Sequence, residues 1–240
     1  MSNDNLRIFS RYYDQIYLKR KDYESESQTI KQIIKQFEKK PSKTLLDVGC
    51  GTGEHLKYLS QSFRCKGIDI SEEMVETARA KVVDAEFGLA NMIDFSLGEK
   101  VDVITCLFSS IGYVQTFKNL VRTLKNFFNH LNNEGLTLVV PWVFKKDFRK
   151  GTFSIDTYED DKMKLVRMGT GKLTGSQWLV YFHYLIGTDG EIKHVREIHK
   201  MLAADYEDYI IAFNLAGYSE IRFLEEDKWA IRRGLFVAMK

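Results

Sequence analysis

Three glycines and two acidic residues in the first third of the sequence have types and spacings that suit ligand binding. Gly49, Gly51 and Gly53 stand at alternate positions in "LLDVGCGTGEHL", after an apolar run that contains Asp47, and Asp69 ends the next apolar run, "KGID". A glycine turn between a strand and a helix exposes backbone N–H groups at the carboxyl edge of a parallel sheet, where ligands of open α/β folds bind. A carboxylate at the end of the next strand can accept both hydroxyls of a ribose. The pattern therefore predicts a site for a ribose-containing ligand.

Three classes of ligand suit such a turn. A P-loop requires Gly-Lys-Ser/Thr at the end of the turn, whereas Glu54 and His55 follow Gly53 here. A dinucleotide-binding turn prefers Gly-x-Gly-x-x-Gly, although NAD enzymes also place an acid about 20 residues further on. The third ligand is S-adenosylmethionine (SAM), whose methionyl end is zwitterionic and carries no phosphate. Asp47 suits the amine of SAM, directly or through water, and the bare glycine backbone suits close approach of its adenosyl group.

The combination of "LLDVGCGTG" and "GIDIS" resembles motifs I and II of the class I SAM-dependent methyltransferases. The resemblance implies a Rossmann-like α/β fold, SAM as the cofactor and contact of Ile70, beside Asp69, with that cofactor. In the third matching segment, "AEFGLANMIDF", the family often has an acid that contacts the adenine amine. This chain has Asn91 there, whose amide oxygen can accept from the amine, and Met92, which can cover the ring.

"CLFSSIGYV" follows the fourth predicted strand, where the resemblance places the methyl-bearing sulfur of SAM. Nucleic-acid and protein N-methyltransferases often carry an Asn/Asp-Pro-Pro-Tyr motif here, but this stretch has no proline and is small and hydroxylated. The sequence therefore favours a small acceptor. We assign Phe108 to the cofactor side and Ser110 to the acceptor side.

Two residues are candidates for orienting or deprotonating an acceptor amine. Tyr113 is the first, and His183 in "VYFHYL" is the second, with a plain sheet-face histidine as the alternative for His183. Burial beside a cationic donor lowers the pKa of an amine, so a strong base is not required.

Five segments extend the resemblance to a narrower family. "YDQIYLKRKDYESE", "LLDVGCGTGEHL", "FSSIGYV", "VPWVFKKDF" and "RRGLFVA" follow one another in the order and spacing of the N,N-dimethyltransferases of nucleotide-linked amino-deoxysugars. In that family SAM methylates the sugar amine twice while the sugar is attached to dTDP, and an antiparallel insert follows the fifth strand. The resemblance implies a small-molecule acceptor, with a dTDP-linked amino sugar as the leading candidate.

This narrower resemblance assigns further residues to the site. Tyr13, Tyr17, Lys21 and Tyr23 match a segment that closes over donor and acceptor, with Tyr23 on the donor side and Tyr13 and Tyr17 on the acceptor side. Trp142 lies in the matching segment after the fifth strand. Arg233 matches an arginine suited to the diphosphate, because a guanidinium fork fits phosphate oxygens. The alternatives are an amphipathic docking helix for the tyrosines Tyr13 and Tyr17 and a solvated strand end for Arg233.

The departures from the narrower family concern the acceptor side. Its "GKGKDY" is "LKRKDY" here, its "EPWWFP" is "VPWVFK", and Arg232 replaces a glycine of its "GRGLF". Two alternatives therefore stand beside N-methylation of an amino sugar. One is a SAM-dependent O- or C-methyltransferase for another small metabolite, and the other is a SAM-binding protein without catalysis.

Periodicity predicts the elements that position these residues. We predict a short helix over residues 5–18 and an amphipathic helix with Ile30, Ile33, Ile34 and Phe37 on one face. Strands and helices then alternate, which predicts a parallel sheet covered on both sides. Residues 152–201 show no helical period and contain turn signals, which predicts antiparallel strands. We divide the chain into a SAM-binding core with an N-terminal lid helix (1–141), an acceptor-side insert (142–201) and a C-terminal helix and strands (202–240).

The composition narrows the class of protein. The chain has 240 residues, 44% of them hydrophobic, and a net charge of +2 without a block of like charge, which does not favour a nucleic-acid partner. No apolar run approaches the roughly 18 residues of a membrane span, and the first residues lack the core of a signal peptide. The three cysteines have neither disulfide nor metal-ligand spacing. We expect a cytoplasmic enzyme that needs no metal and no membrane, and a homodimer is possible because an antiparallel sheet leaves an edge to pair.

Overall fold

The computed structural model describes residues 7–229 and 231–240. The elements up to residue 139 are α1 (Arg7–Arg11), α2 (Tyr13–Tyr17), α3 (Tyr23–Phe37), β1 (Thr44–Val48), α4 (Glu54–Leu59), β2 (Arg64–Asp69), α5 (Glu72–Lys81), β3 (Ala85–Leu89), β4 (Val101–Cys106), a 3₁₀ helix (Ser110–Val114), α6 (Phe117–His130) and β5 (Leu131–Val139). The later elements are a 3₁₀ turn (Lys145–Asp147), β6 (Phe153–Glu159), β7 (Met163–Thr174), β8 (Gln177–Thr188), β9 (Glu191–Leu202), α7 (Tyr206–Ala216), β10 (Glu220–Leu224), α8 (Glu226–Trp229) and β11 (Leu235–Met239). None of the helices in the described ranges has the length and hydrophobicity of a transmembrane segment.

The core sheet has seven strands in the order β10-β11-β5-β4-β1-β2-β3. Strands β1 to β5 pair in parallel, whereas β11 runs antiparallel to β5 and β10 antiparallel to β11. β1 has β2 on one side and β4 on the other, so the strand order reverses at β1 and opens a crevice at the carboxyl edge of the sheet. The α/β sheet predicted from the alternation of elements is confirmed.

Helices bury both faces of this sheet. On one face the apolar stripe of α3, predicted from its period, packs with α4 through Ile30, Ile33, Ile34, Leu56 and Leu59. On the other face α6 and α7 pack through Leu120, Leu124, Phe127, Ala212 and Phe213. Two helix ends show the sequence signals directly: Ser71 accepts the N–H of Met74 at the start of α5, and Gly217, at φ +106°, ends α7.

A separate four-stranded antiparallel sheet, the insert sheet, follows the fifth core strand in the order β6-β7-β8-β9. The antiparallel strands predicted between residues 152 and 201 are confirmed. Because side chains alternate along a strand, Trp178, Tyr184 and Ile186 are buried on the inner face, whereas His183 and Leu185 are exposed on the outer face.

The N-terminal segment is two short helices, α1 and α2, and not the single helix predicted over residues 5–18, of which residues 5 and 6 lie outside the described part. Tyr12 leaves helical geometry at φ −111° and ψ 17°. The change of direction lets α1 reach α5, where the hydroxyls of Ser10 and Ser71 lie 3.1 Å apart. It also lets Ile16 of α2 pack with Leu165 and Tyr184 of the insert sheet. We call residues 7–22 the lid.

Candidate functional site

A cavity of about 950 Å³ lies at the carboxyl edge of the core sheet, between that edge, the lid and the inner face of the insert sheet. Its volume is near the upper end of the range for small-molecule sites. Of the residues predicted for the site, those that line it are Tyr13, Tyr17, Gly49, Gly51, Asp69, Ile70, Asn91, Met92, Phe108, Ser110, Tyr113, Trp142 and Arg233. The cavity thus brings together predicted donor and acceptor residues that are distant in sequence.

The glycine turn forms one end of the cavity. Gly49 and Gly51 line it at φ +72° and +55°, a backbone region that favours glycine. A Cβ atom at Gly49 would lie 2.7 Å from the Cβ of Ser110, so this turn and the turn after β4 approach each other closely. Gly53 has another function, since a Cβ there would meet the side chains of Ala78 and Val82 at 3.1 and 3.3 Å. Gly53 therefore allows α4 to begin against α5 and does not face the cavity.

Asp69 is the carboxylate at this end of the cavity. Its Oδ2 accepts the N–H of Gly51 at 2.9 Å and its Oδ1 accepts the N–H of Ser71 at 2.9 Å. Each carboxylate oxygen keeps a free lone pair, so the oriented group can still accept two ribose hydroxyls. Burial raises the pKa of Asp69, and the two backbone donors act against that rise.

Asp47 lies behind the glycine turn. Its side chain is buried and its Oδ1 accepts the hydroxyl of Thr105 at 2.7 Å. Burial raises the pKa of Asp47 to about 6. It is not among the described residues that line the cavity, so direct contact with a ligand amine, one of the two predicted routes, has no support in the geometry. The Asp47 carboxylate can act on a ligand through its electrostatic field, from behind the glycine turn.

Apolar and amide groups line the next part of the cavity. Ile70 and Met92 line it near Asp69. The Oδ1 of Asn91 accepts the N–H of Ile93 at 3.0 Å, which uses one lone pair and orients the amide. This group of residues provides a flat apolar slot with one hydrogen-bonding rim, as an adenine requires.

The lid contributes a cation that sequence reasoning left without a role. Lys21 Nζ lies 2.5 Å from the carboxylate of Glu26 and 4.0 Å from the centre of the Phe108 ring. The same carboxylate contacts His55 Nε2 at 2.7 Å, and these two partners hold the pKa of Glu26 at about 2. Burial lowers the pKa of Lys21. The ammonium is therefore fixed beside the glycine turn, where an anionic group of a ligand can reach it.

Tyr23 lies below the lid and beside this cation. Its ring is buried against His55 at 5.0 Å, and Lys21 Nζ lies 4.9 Å from its centre. The buried Tyr23 hydroxyl hydrogen-bonds to the Tyr13 hydroxyl and faces a small space next to Gly49 and Phe108. A phenol is both a donor and an acceptor, so Tyr23 can still bond a ligand atom in that space.

These features fit SAM. Asp69 suits the ribose, Ile70 and Met92 suit the adenine, and Lys21 with the Tyr23 hydroxyl suits the methionyl carboxylate. The match combines a bare glycine turn and a fixed cation, which line the cavity, with a buried hydroxyl in the small space beside it.

The turn after β4 is strained where donor and acceptor sides meet. Phe108 and Ser109 both have positive φ, +49° and +66°, although neither is a glycine. Such backbone persists only when its surroundings hold it, and it is concentrated at functional sites. The contacts that hold it are on both sides: Ser110 donates to the carbonyl of Gly49 at 3.2 Å, and Ser109 donates to the carbonyl of Pro141 at 2.6 Å.

Three aromatic lid residues cover this turn. Tyr17 approaches the Phe108 ring edge-on at 5.0 Å, and Tyr13 lies 4.7 Å from Tyr17. Phe9 packs on Tyr13 at 5.2 Å. Burial raises the pKa of Tyr13 well above its ordinary value, so its phenol stays neutral. The lid rings therefore exclude water above the turn where the donor and acceptor parts of the cavity meet.

Tyr113 and His183, the two predicted proton-handling residues, lie in different places. Tyr113 lines the cavity, and its hydroxyl lies 2.7 Å from Nδ1 of His199. His183 is exposed on the outer face of the insert sheet, where it stacks on His194. The prediction for His183 is therefore corrected, because strand alternation turns its ring away from the cavity. His199 of β9, which sequence reasoning missed, faces the cavity instead.

Arg233 and Trp142 form the far wall. The Arg233 guanidinium lies 4.5 Å from the centre of the Trp142 ring, and its Nη1 donates to the hydroxyl of Ser109 at 2.8 Å. Burial lowers the pKa of Arg233 to about 10, which still leaves it charged at neutral pH. Arg232 lines the cavity beside it and is exposed. This wall presents cations on an aromatic surface.

A buried ion pair forms the floor supplied by the insert sheet, and sequence reasoning did not identify it. Arg167 donates to Asp156 Oδ2 through Nε at 2.9 Å and through Nη2 at 2.6 Å. Its guanidinium lies 5.0 Å from the Tyr17 ring and 4.5 Å from the Phe182 ring. Arg20 of the lid also pairs with Asp156. The contact between Arg20 and Asp156 ties the lid to the insert sheet.

Comparison with known proteins agrees with this geometry. A model of the methyltransferase domain family matches residues 45–135. The dTDP-3-amino-3,4,6-trideoxy-alpha-D-glucopyranose N,N-dimethyltransferase of Streptomyces venezuelae is 32% identical over 230 residues, which cover 95% of this chain and 95% of that protein.

Solved structures give the same result over the whole length. DesVI of Streptomyces venezuelae superposes with a TM-score of 0.84 at 30% identity, covering 98% of this chain and 96% of that one. CalS10 of Micromonospora echinaspora, an amino pentose methyltransferase solved with SAM bound, superposes with a TM-score of 0.84 at 25% identity, covering 97% of this chain and 96% of that one.

Proposed function

Because the chain belongs to the family of the SAM-dependent dTDP-amino-sugar N,N-dimethyltransferases, we propose that it transfers methyl groups from SAM to the amine of a dTDP-linked amino sugar until that amine is dimethylated. The observation that carries the proposal is the single cavity that joins Asp69 and the glycine turn to Arg233 and Trp142. A continuous cavity of about 950 Å³ can hold the nucleoside of the donor at one end and an acceptor with an anionic and an aromatic group at the other.

The chain's own residues supply alignment and a dry site. SAM, when bound, provides a methyl group already activated on a positively charged sulfur. Asp69, Lys21 and the glycine turn fix the position of the donor, and the lid rings of Tyr13 and Tyr17 exclude water above Phe108. Correct alignment of two reactants can lower a barrier by about 7–11 kcal/mol.

The acceptor amine approaches from the side of Tyr113. The Tyr113 hydroxyl lines the cavity close to the Phe108 turn, and burial raises its pKa well above the ordinary value, so it acts as a neutral phenol. As a neutral group it can both accept a proton from an ammonium and donate its own. Tyr113 thus orients the amine toward the donor.

Arg233 supports recognition of the nucleotide part of the acceptor. Its charged fork fits two oxygens of a diphosphate, and Trp142 beneath it offers a surface for a flat ring. Arg232, at the exposed margin of the cavity, adds a second positive charge. The arginine that replaces a glycine of the narrower family therefore strengthens an anion site and does not obstruct it.

We also propose that the outer face of the insert sheet binds a second copy of the chain. Ile155, Met168 and Leu185 are 60%, 43% and 47% exposed. Ile155 pairs with Met168 across β6 and β7, so the apolar residues are contiguous and not scattered. Such a patch marks an interaction surface, and a two-fold axis lets the same patch on two copies face each other. Light scattering should give the mass of a dimer, and Ile155→Glu should give a monomer.

The cytoplasm is the proposed compartment. The cysteines Cys50, Cys65 and Cys106 are all free and buried, which suits a reducing environment.

The experiment that tests the function uses the purified protein, SAM and dTDP-3-amino-3,6-dideoxyglucose. Mass spectrometry of the sugar nucleotide should show the addition of one and then two methyl groups. The matched control is the corresponding dTDP-sugar with a hydroxyl in place of the amine, which should remain unchanged. Methylation of the hydroxyl compound alone would favour an O-methyltransferase, and SAM binding without methylation of either would favour a non-catalytic protein.

A further inference from the structure

Three polar side chains form a buried row beside the acceptor part of the cavity. The Tyr113 hydroxyl lies 2.7 Å from Nδ1 of His199, and Nε2 of His199 lies 3.4 Å from Oε2 of Glu197. His199 and Glu197 are 3% and 6% exposed. The order phenol, imidazole, carboxylate is that of a proton relay whose first member reaches the cavity.

A relay that leads away from the cavity requires one direction of these hydrogen bonds. The Tyr113 phenol keeps its proton, because burial raises its pKa, and its O–H donates to Nδ1 of His199 in the relay. In that arrangement His199 carries its own proton on Nε2, toward the carboxylate of Glu197. The row is therefore arranged to accept a proton at Nδ1 and to stabilise the resulting imidazolium through Glu197.

The lid closes the row from outside. Glu197 Oε1 accepts the backbone N–H of Ile8 at 2.9 Å and of Phe9 at 3.3 Å, both in α1. The rings of Phe9 and Phe182 flank His199 edge-on at 5.1 and 5.0 Å. His199 is thus sealed between the lid and the insert sheet when the lid is in place.

Among the described residues, further ionisable groups near the row come from the lid, the insert sheet and the core sheet. Tyr17 of α2, Tyr184 of β8 and Asp69 of the core sheet interact electrostatically with Tyr113. Arg167 of β7 interacts with Tyr184 and pairs with Asp156, which Arg20 of the lid also contacts. Glu197 is therefore the anion in hydrogen-bonding position to His199.

We propose that His199, supported by Glu197, takes up through Tyr113 the proton that the acceptor ammonium must lose before each methyl transfer, and that this proton leaves when the lid opens. The inference rests on the proposed function. The ammonium N–H passes its proton to the Tyr113 oxygen while the Tyr113 proton moves to Nδ1 of His199. The free amine pair then forms the N–C bond as the S–C bond breaks, and the sulfur keeps that electron pair. One proton per methyl group remains on His199, for release to water.

Tyr113 contacts the acceptor in this scheme, whereas His199 and Glu197 act through it as positioning residues for the proton. General-base assistance of this kind typically accelerates a reaction by about 10² to 10⁴. Removing this assistance should lower the rate most at pH values where the acceptor amine is mostly protonated.

The first test is the pH dependence of kcat/KM for the dTDP-amino sugar. His199→Asn keeps an acceptor for the Tyr113 hydroxyl but cannot take a proton. We expect it to lower kcat/KM at pH 7 about 100-fold and to recover most of the loss above pH 9, where the amine is unprotonated in solution. Tyr113→Phe should behave similarly, and Glu197→Gln should lower kcat/KM at pH 7 about tenfold. The control is Asp84→Asn, at an exposed loop position outside the cavity and the insert sheet, with no change.

A uniform loss at every pH, or no loss, in a folded His199→Asn protein would overturn the relay. An inactive parent protein would instead reject the proposed function. In that event, and also if His199→Asn does not fold, nitrogen NMR of histidine-labelled parent protein with S-adenosylhomocysteine decides. The relay requires an unprotonated, hydrogen-bonded Nδ1 at His199 in the parent, with a signal that moves in Tyr113→Phe. A protonated Nδ1 would contradict it.

Discussion

Asp14 of the lid and Lys81 at the end of α5 are joined by a hydrogen bond of 2.6 Å between carboxylate and ammonium. Lys81 also donates to Glu54 at the start of α4 at 2.5 Å, and Thr52 of the glycine turn donates to Asp14 at 2.7 Å. The lid is therefore fastened to the same turn that forms the donor site.

Asp14→Asn should loosen this attachment. We expect the dissociation constant for S-adenosylhomocysteine to rise about three- to tenfold, because a partly buried, charge-assisted hydrogen bond is lost. Titration calorimetry measures the change, and hydrogen exchange of residues 7–22 should become faster. Arg11→Gln is the control, since Arg11 forms an exposed pair with Glu73 at 3.9 Å, which contributes little. Equal effects of the two substitutions would contradict a specific role for Asp14.

Asp69→Asn should weaken donor binding strongly while the fold persists. An amide in this place loses the charge that holds the ribose and turns an N–H₂ group toward the N–H of Gly51 or Ser71. The expected cost is about 2–4 kcal/mol, or roughly 30- to 1,000-fold in affinity for S-adenosylhomocysteine. Asp84→Asn, at an exposed loop position, is the control for calorimetry and for circular dichroism. Unchanged affinity would remove Asp69 from the donor site.

Asp47 should make the stability of the ligand-free protein depend on pH. Its pKa of about 6 in the folded chain lies above the roughly 3.9 of an unfolded aspartate, so folding favours the protonated form. The stabilisation from this group is complete below about pH 4 and is lost as the pH rises through about 6. Asp47→Asn, which mimics the protonated carboxyl, should therefore raise the free energy of unfolding at pH 8 by about 1–3 kcal/mol relative to the parent, and by much less at pH 4.5. Urea unfolding at both values measures this. If Asp47→Asn instead lowers the free energy of unfolding equally at pH 8 and pH 4.5, ionisation of Asp47 does not destabilise the folded chain.

Arg233→Gln should separate acceptor binding from donor binding. We expect dTDP to bind the S-adenosylhomocysteine complex about 10- to 100-fold more weakly, because one charged hydrogen-bonding fork is lost. Binding of S-adenosylhomocysteine itself should change by less than about twofold. Arg233→Lys should be intermediate, since an ammonium keeps the charge but not the fork. Arg222→Gln, exposed on β10, should leave both affinities unchanged. Normal binding of dTDP by Arg233→Gln would argue against a nucleotide acceptor at this wall.

The donor side of the cavity follows largely from the sequence because its geometry is local. A strand, a glycine turn and a helix place Gly49, Gly51 and Asp69 at one sheet edge wherever β1 and β2 pair in parallel. Asp47 shows the limit of this reasoning. Its motif position predicted ligand contact, but its distance from the cavity depends on how deeply β1 is buried among its neighbours.

The proton-handling residues could not be predicted in the same way. His183 and His199 both lie in apolar strand segments, and only the register of the insert sheet decides which ring faces inward. Alternation carries a usable signal: Trp178, Val180, Phe182 and Tyr184 form the bulkier apolar face of β8, and His183 has the opposite parity. The partnership of His199 with Tyr113, 86 positions away, depends on packing of the insert sheet against the 3₁₀ helix, which no local pattern encodes.

The donor end of the cavity and the floor of its acceptor part are encoded by separate stretches of the chain. The glycine turn, Asp69 and Met92 belong to the core sheet and its loops, whereas the floor and one side wall come from the continuous hairpins of β6 to β9. Substitutions on the inner face of those hairpins can reshape the space for an acceptor without altering the backbone that holds the donor. The floor beneath an acceptor can therefore change with these hairpins while the donor site, and the acceptor contacts from Tyr113, Trp142 and Arg233, stay in place.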